Sequence, residues 1–498
     1  MNRKLIIRVL GAILAIEAMA MIPAFLISLY YQDGDTAALG WTVILTLSTG
    51  GIMYLIPTTD KNSYLRLKEG FIIVAIGWVM MSGFGALPFI ISGMFTRFED
   101  AFFEAVSGFT TTGASVFEGF ENYMHGVVFW RATTHWIGGM GVLVLTLALL
   151  PKLTGRTAHL VKAESPGPSL SKLVPKTGTT AKILYRIYIF LTLLEFVSLL
   201  ICGLNPYDAA VHSFATAGTG GFSNYGASIA AFNSVPVDIV ITVFMFMFGI
   251  NFALYYKFII GEHFKAFWRD EEFRCYLFIA IVFTMLITFF NIEFYRNELA
   301  VSGKDSSVGS AFFTSLRYSS FQLSSIISTT GFVTFDFSRW PAASQMLLIL
   351  AMFVGSCAGS TAGGIKVIRI NMLFKLSRRN ILATGRPRKV DVIRIDRKAV
   401  DENIVSQVAQ FAVMYVALVF IGSLLLSFDG RYDVLTNLTA SLTCVSNVGP
   451  GLGAVGPVNN FAGYSAWGKI VASMLMLFGR LELLPMFILF TRSAWHKY

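Results

Sequence analysis

The stretch FTTTGASVF, residues 109–117, decides the fold. It is small, neutral and polar, yet it follows an amphipathic segment, EDAFFEAVSGF at 99–109, and precedes a long apolar run. No soluble core calls for such a segment. The chain around it is 55% hydrophobic and 14% charged over 498 residues, whereas soluble domains carry about 25% charged residues. Apolar runs of about 20 residues recur, the length that crosses a hydrocarbon core. The chain therefore reads as an all-α polytopic membrane protein. It opens MNRKLIIRVLGAILAIEAMAMIPAFLI, a basic start leading into a full apolar span, which reads as an uncleaved first helix rather than a signal peptide.

Working outward, the same pattern occurs four times. Two spans, 4–30 and 38–57, form an N-terminal helix pair within 1–69. Four units follow, at 70–180, 181–272, 273–402 and 403–498. Each has a long apolar helix, a half-length amphipathic helix, a Thr/Gly-rich stretch and another long helix. The other three short helices are PYDAAVHSFATAG, GSAFFTSLRYSSFQLSSI and YDVLTNLTASLTCV. Internal repetition of this kind is the primary evidence for architecture. The short helices do not span a bilayer, and irregular backbone at membrane depth must be buried in protein or line water. Four parallel helix–pore-helix–helix repeats around a central pore are expected.

Charge placement sets the orientation. The loops 152–181 and 376–402 are basic, with eight Lys or Arg against Asp391 and Asp396 between 378 and 398. The opposite loops carry Glu118, Glu121, Asp336 and Asp433. By the positive-inside rule both termini are cytoplasmic. The net charge of +10 thus reflects topology, with anionic lipid or a cytosolic partner as further contacts, and not nucleic acid. Cys202, Cys275, Cys357 and Cys444 show no metal or disulfide spacing.

The four polar stretches are TTTGAS, GTGGFS, STTGFV and SNVGPG. Their alignment pairs Gly113, Gly220, Gly331 and Gly449, spaced 107, 111 and 118 residues apart, preceded by Thr112, Thr219, Thr330 and Val448. A dehydrated monovalent cation needs several carbonyl oxygens turned to one axis, and glycine reaches positive φ at little cost. The loops contain no carboxylates, which argues against a divalent site. The preceding short helices aim their negative ends at the centre. Thr111, Thr112, Gly113, Thr219, Gly220, Thr330, Gly331, Asn447, Val448 and Gly449 are the candidate cation-binding residues.

Below them, the second long helix of the third unit is interrupted. QMLLILAMFV is followed by GSCAGSTAGG and then IKVIRINMLFKL. Gly355, Gly359, Gly363 and Gly364 make a helix interior costly, at about 1 kcal/mol each. Close helix packing is one reading and a flexible polar loop under the filter the other, with Lys366 as its anchor. GSTAGGIK lacks the Gly-Lys-Ser/Thr ending of a phosphate loop. Arg480 lies at membrane depth in the last helix, where charge is costly and faces a cavity or partner. It reads either as a structural pair with Glu482 or as a positive barrier under the filter. Glu104, His212, Arg317, Arg131, His135 and Asn251 read as structural hydrogen-bonding residues, and Glu195 has no evident partner in sequence.

These motifs together, with HWIGGMG, GINFALYY and GRLEL, resemble the Trk/Ktr/HKT superfamily of potassium transporters over essentially the whole chain, and within it the TrkH-type membrane subunits of bacterial Trk uptake systems. The N-terminal helix pair suits that branch. The resemblance implies a potassium filter with Gly113 favouring potassium, an intramembrane gating loop at about 355–366, and Arg480 as a gating residue. It also implies a homodimer in the bacterial inner membrane and a separate cytosolic nucleotide-binding subunit of the TrkA type. The chain itself binds no cofactor, and potassium is its cargo. A proton- or sodium-coupled cation symporter is the alternative. A solute transporter with a midplane site is a weaker fit, since inverted repeats are expected there. No nucleophile–base set or metal cluster points to an enzyme.

Overall fold

The computed structural model describes residues 3–56, 67–118, 123–141, 177–262, 264–385 and 391–491. Glu121 and most of the basic loop 152–181 lie outside the described residues. The first two helices, α1 (Arg3–Tyr31) and α2 (Thr36–Leu55), form a hairpin packed backbone to backbone. A Cβ on Gly11 would sit 2.6 Å from the Gly50 carbonyl oxygen, the small-residue packing that lets membrane helices touch.

The first repeat comprises α3 (Leu67–Gly85), α4 (Leu87–Ile91), the short helix α5 (Phe98–Phe109) and the inner helix α6 (His125–Gly139). The N-terminal hairpin is fastened to it through α6. Asp33 and Asp35 accept from the amides of His125 and Val127 at 3.0 and 2.9 Å, which satisfies donors that a helix start leaves open. The second repeat holds α7 (Thr177–Ile201), α8 (Pro206–Gly218), α9 (Val235–Phe248) and α10 (Phe252–Lys257), with α11 (Lys265–Arg269) leading onward. The third holds α12 (Glu271–Val301), α13 (Val308–Ile327), α14 (Ala342–Val354) and α15 (Val367–Gly385). A two-stranded hairpin, β1 (Arg394–Ile395) and β2 (Lys398–Ala399), links it to the fourth, which holds α16 (Glu402–Ser427), α17 (Val434–Ser446), α18 (Ala466–Arg480) and α19 (Leu484–Leu489).

Three of the four helices before the polar stretches begin with a side-chain cap, on Asn205, Ser307 and Asp433, and the third, α13, runs for 20 residues rather than the half length expected. The inner helices depart from expectation. Each repeat was expected to close with a long helix, interrupted only in the third. Instead α6, α9, α14 and α18 run for 15, 14, 13 and 15 residues. At 1.5 Å per residue each covers about 20 Å, short of a ~30 Å hydrocarbon core. The interruptions have different causes. α6 ends on Gly138–Gly139. Between α9 and α10 the axis bends by 91°. A twelve-residue segment, 355–366, separates α14 from α15. α18 stops before Glu482 and Leu483, both at positive φ. Six described helices are long and apolar enough to cross a membrane, or seven with the bent pair counted as one span.

Candidate functional site

The four short helices deliver the chain into four tripeptides, 111–113, 219–221, 329–331 and 447–449. The first residue of each is left-handed: Thr111, Thr219, Thr329 and Asn447 have φ of 54°, 55°, 56° and 55°. The third is a glycine with positive φ: Gly113, Gly221, Gly331 and Gly449, at 78°, 75°, 81° and 103°. The second loop therefore sits one residue later than the sequence alignment expected. Gly221, not Gly220, is the counterpart of Gly113, and Thr219 matches Thr111 rather than Thr112. GTGG offers two adjacent glycines, and only the backbone conformation distinguishes them.

The middle residues, Thr112, Gly220, Thr330 and Val448, join the loops into a closed ring. A Cβ on Gly113 would lie 2.0 Å from the Gly220 carbonyl oxygen, and one on Gly221 2.0 Å from that of Thr330. One on Gly331 would lie 2.2 Å from the Val448 oxygen, and one on Gly449 2.7 Å from that of Thr112. Each glycine thus receives the middle carbonyl of the next loop, and the fourth returns to the first. Positive φ and close approach independently exclude a side chain at these positions. The glycines line a vestibule of about 460 Å³ together with Phe222, Val333, Pro450 and Arg131.

Polar side chains behind the loops stand nine residues before each ring glycine in three repeats: Glu104, His212 and Gln322. Glu104 accepts from Ser115 Oγ at 2.9 Å and Val116 N at 3.0 Å. It also pairs with Arg131 Nε at 2.5 Å, both side chains being buried. Arg131 in turn donates to the Ser223 carbonyl at 2.9 Å and lies 3.6 Å over the Phe222 ring, so it ties loop one to loop two. His212 Nε2 meets Ser223 Oγ at 3.0 Å, and Gln322 Nε2 donates to Thr334 Oγ1 at 3.3 Å. His135 meets the Gly108 carbonyl at 2.7 Å. Arg317 pairs with Asp238 of α9 at 2.6 Å, and Asn251 caps α10 by accepting from Ala253 N at 2.9 Å. Hydrogen bonding is thus what these residues do, as the sequence suggested. Gln322 was missed there, although its offset from Gly331 matches that of Glu104 from Gly113. Glu195 is buried in α7.

Asn447 replaces threonine in the fourth loop and donates to Thr112 Oγ1 at 2.9 Å and to the Met476 carbonyl at 3.0 Å. It closes the seam between loops four and one. Beneath the ring lies the segment 355–366, with Gly355, Gly359, Gly364 and Lys366 at positive φ. Cys357 N donates to the Gly249 carbonyl at 3.1 Å, and the Gly359 carbonyl accepts from Phe252 N at 3.1 Å. Gly363 N donates to Thr329 Oγ1 at 2.7 Å, a direct bond from the segment to the ring. Lys366 is buried, and its ammonium donates to the Ala362 carbonyl. Arg480 donates to the Thr361 carbonyl at 2.8 Å and to the Gly138 and Gly139 carbonyls at 2.5 and 2.8 Å. Repeats one, three and four therefore meet on one guanidinium. Glu482 pairs instead with Arg369 of α15.

The TrkH family model, described as a cation transport protein, matches residues 41–497. The chain is 36% identical to the Trk system potassium uptake protein TrkH of Escherichia coli K12, with all of both chains covered. It is 35% identical to the protein of that name in Vibrio parahaemolyticus, again over both full lengths. The crystal structure of the potassium transporter TrkH from Vibrio parahaemolyticus superposes over all of both chains, with a TM-score of 0.87 at 33% identity.

Proposed function

The chain belongs to the TrkH family of cation transport proteins, and from that premise we propose that it carries potassium across the bacterial inner membrane. The observation that supports this reading best is the closed ring in which Thr112, Gly220, Thr330 and Val448 each turn a carbonyl onto the preceding loop. Such carbonyls replace the hydration shell of a monovalent cation. Thr111, Thr219, Thr329 and Asn447 form the level below them, and Gly113, Gly221, Gly331 and Gly449 the rim above. The segment 355–366 is the gate. Arg480 holds it closed and opposes cations entering from below. At an effective dielectric near 20, a cation about 4 Å from that charge meets roughly 4 kcal/mol of repulsion.

The hairpin face is cytosolic, as are both termini. The curated relatives are named as proteins of a Trk system, which supports a membrane component of a multi-component assembly. Its nucleotide-sensing part is a separate TrkA-type subunit on that face, and the membrane subunit is a homodimer.

Gly113→Ser tests the ring. A residue with a Cβ pays about 1–2 kcal/mol for left-handed backbone, and here it also meets the Gly220 oxygen. In liposomes, potassium-over-sodium preference falls about tenfold, the factor that about 1.4 kcal/mol produces. Unchanged selectivity in a folded mutant sinks the filter assignment.

A further inference from the structure

Glu272 stands at the start of α12, buried, and outside every motif that identifies the family. Its Oε1 accepts from Ala358 N at 2.6 Å and from Ile368 N at 3.2 Å. One amide lies within the gate and the other just past it: Ala358 is the fourth residue of the segment after α14, and Ile368 is the second residue of α15. One oxygen from a neighbouring helix therefore grips the loop and the helix that follows it. An amide deprived of its acceptor in a buried site is costly, so the grip favours the loop conformation seen here.

The adjacent residue faces the hairpin. Glu271 N donates to Asp396 Oδ1 at 2.8 Å, and Asp396 N donates back to Glu271 Oε2 at 3.3 Å. Lys375 of α15 bonds Glu271 and also the Arg394 carbonyl, the latter at 2.7 Å. A second observation ties the same parts together without any polar contact. Ala358, Ile368, Met372 and Val408 form one apolar cluster, against which Ile395 of the hairpin and Val400 just after it pack. Both residues whose amides Glu272 holds belong to the cluster against which this part of the chain packs.

We propose that Glu272 is the positioning residue that clamps the gate beneath the ring, and that the β1–β2 hairpin, seated on Glu271, is the handle through which the clamp is loosened. This rests on the reading of 355–366 as the gate. A partner pulling on the exposed hairpin would shift the start of α12 and release both amides together, without touching the ring.

The test is rubidium flux through the full-length protein in liposomes, with potassium-over-sodium preference measured alongside. Glu272→Ala raises flux about tenfold, the factor that about 1.4 kcal/mol produces, and leaves the preference unchanged. Glu272→Gln stays near wild type, because both bonds use one oxygen that an amide also supplies. Asp396→Ala, on an exposed turn where folding is not at stake, gives a smaller rise and adds nothing to Glu272→Ala. If Arg480→Ala raises flux while Glu272→Ala does not, the clamp is wrong and the gate stands. If neither raises it, both fall. An altered ion preference in Glu272→Ala, or effects of Asp396→Ala that add to it, overturns the proposed route, as does an Asp396→Ala protein with wild-type flux.

Discussion

The ring and the layer beneath it are built by the same four repeats, yet they obey different rules. In the ring every repeat contributes the same backbone: a left-handed first residue, a middle carbonyl and a glycine at positive φ. Below it, no two described inner helices end alike. One stops at a glycine pair, one bends by 91°, one opens into a twelve-residue segment, and one ends in Arg480 and two strained residues. A site for one spherical ion gains from four equivalent donors. A gate needs one element that moves and others that hold it, so symmetry there would be a disadvantage. In the function proposed here the two levels separate selection from control.

The largest effect that separates them comes from the upper level. Arg131 and Glu104 form a buried pair behind loop one. Breaking a buried pair from one side leaves an uncompensated charge and costs about 3–5 kcal/mol. Arg131→Ala therefore lowers the thermal midpoint in detergent strongly, with loss of potassium preference in whatever protein remains folded. Arg131→Ala with Glu104→Gln recovers much of the stability, since no charge is then stranded. If the double variant is as unstable as the single one, the link from Arg131 to the Ser223 carbonyl, rather than the charge, holds the loops.

The lower level answers differently. Arg480→Ala removes three bonds to carbonyls of two other repeats and a positive charge beneath the ring. Its folded protein carries more ions, about tenfold by flux assay for a loss of about 1.4 kcal/mol, at unchanged selectivity. A fall in flux would make Arg480 a structural strut and erase the contrast between the levels.

The sequence disclosed the upper level far better than the lower. Fourfold repetition of a short helix and a Thr/Gly stretch is visible without coordinates, because the carbonyl ring demands glycine at one position in each loop. Where two glycines adjoin, at Gly220 and Gly221, the register is lost, since composition does not report φ. Glu104, His212 and Arg131 are legible as hydrogen-bonding residues, but the offset that Glu104 and His212 share with Gln322 depends on the register of the second loop, which the sequence leaves open. The interruption at 355–366 announced itself through four glycines. The other inner-helix breaks did not, because single glycines and asparagines occur in intact membrane helices too. Arg480 stood out as a charge at depth, yet Glu482 two residues on suggested a pairing that the chain makes with Arg369 instead. Glu272 lies at a helix end where acids are ordinary, and nothing local marks it.

The bond between Thr329 and the segment 355–366 crosses between the levels, and it gives the smallest and sharpest prediction. Thr329 is a left-handed residue of the ring, and its Oγ1 accepts from Gly363 of the proposed gate at 2.7 Å. Thr329→Val keeps the shape and the β-branching, so the strain at φ of 56° is already present in the native residue. Only the acceptor is lost. A neutral hydrogen bond contributes about 1 kcal/mol, so flux rises about fivefold, less than for Arg480→Ala. Potassium preference is the decisive readout. If it stays constant while flux rises, the bond serves the gate alone and the two levels are independent. If preference falls as well, the gate segment helps to hold the third loop in register, and opening the path also loosens the ring that selects the ion.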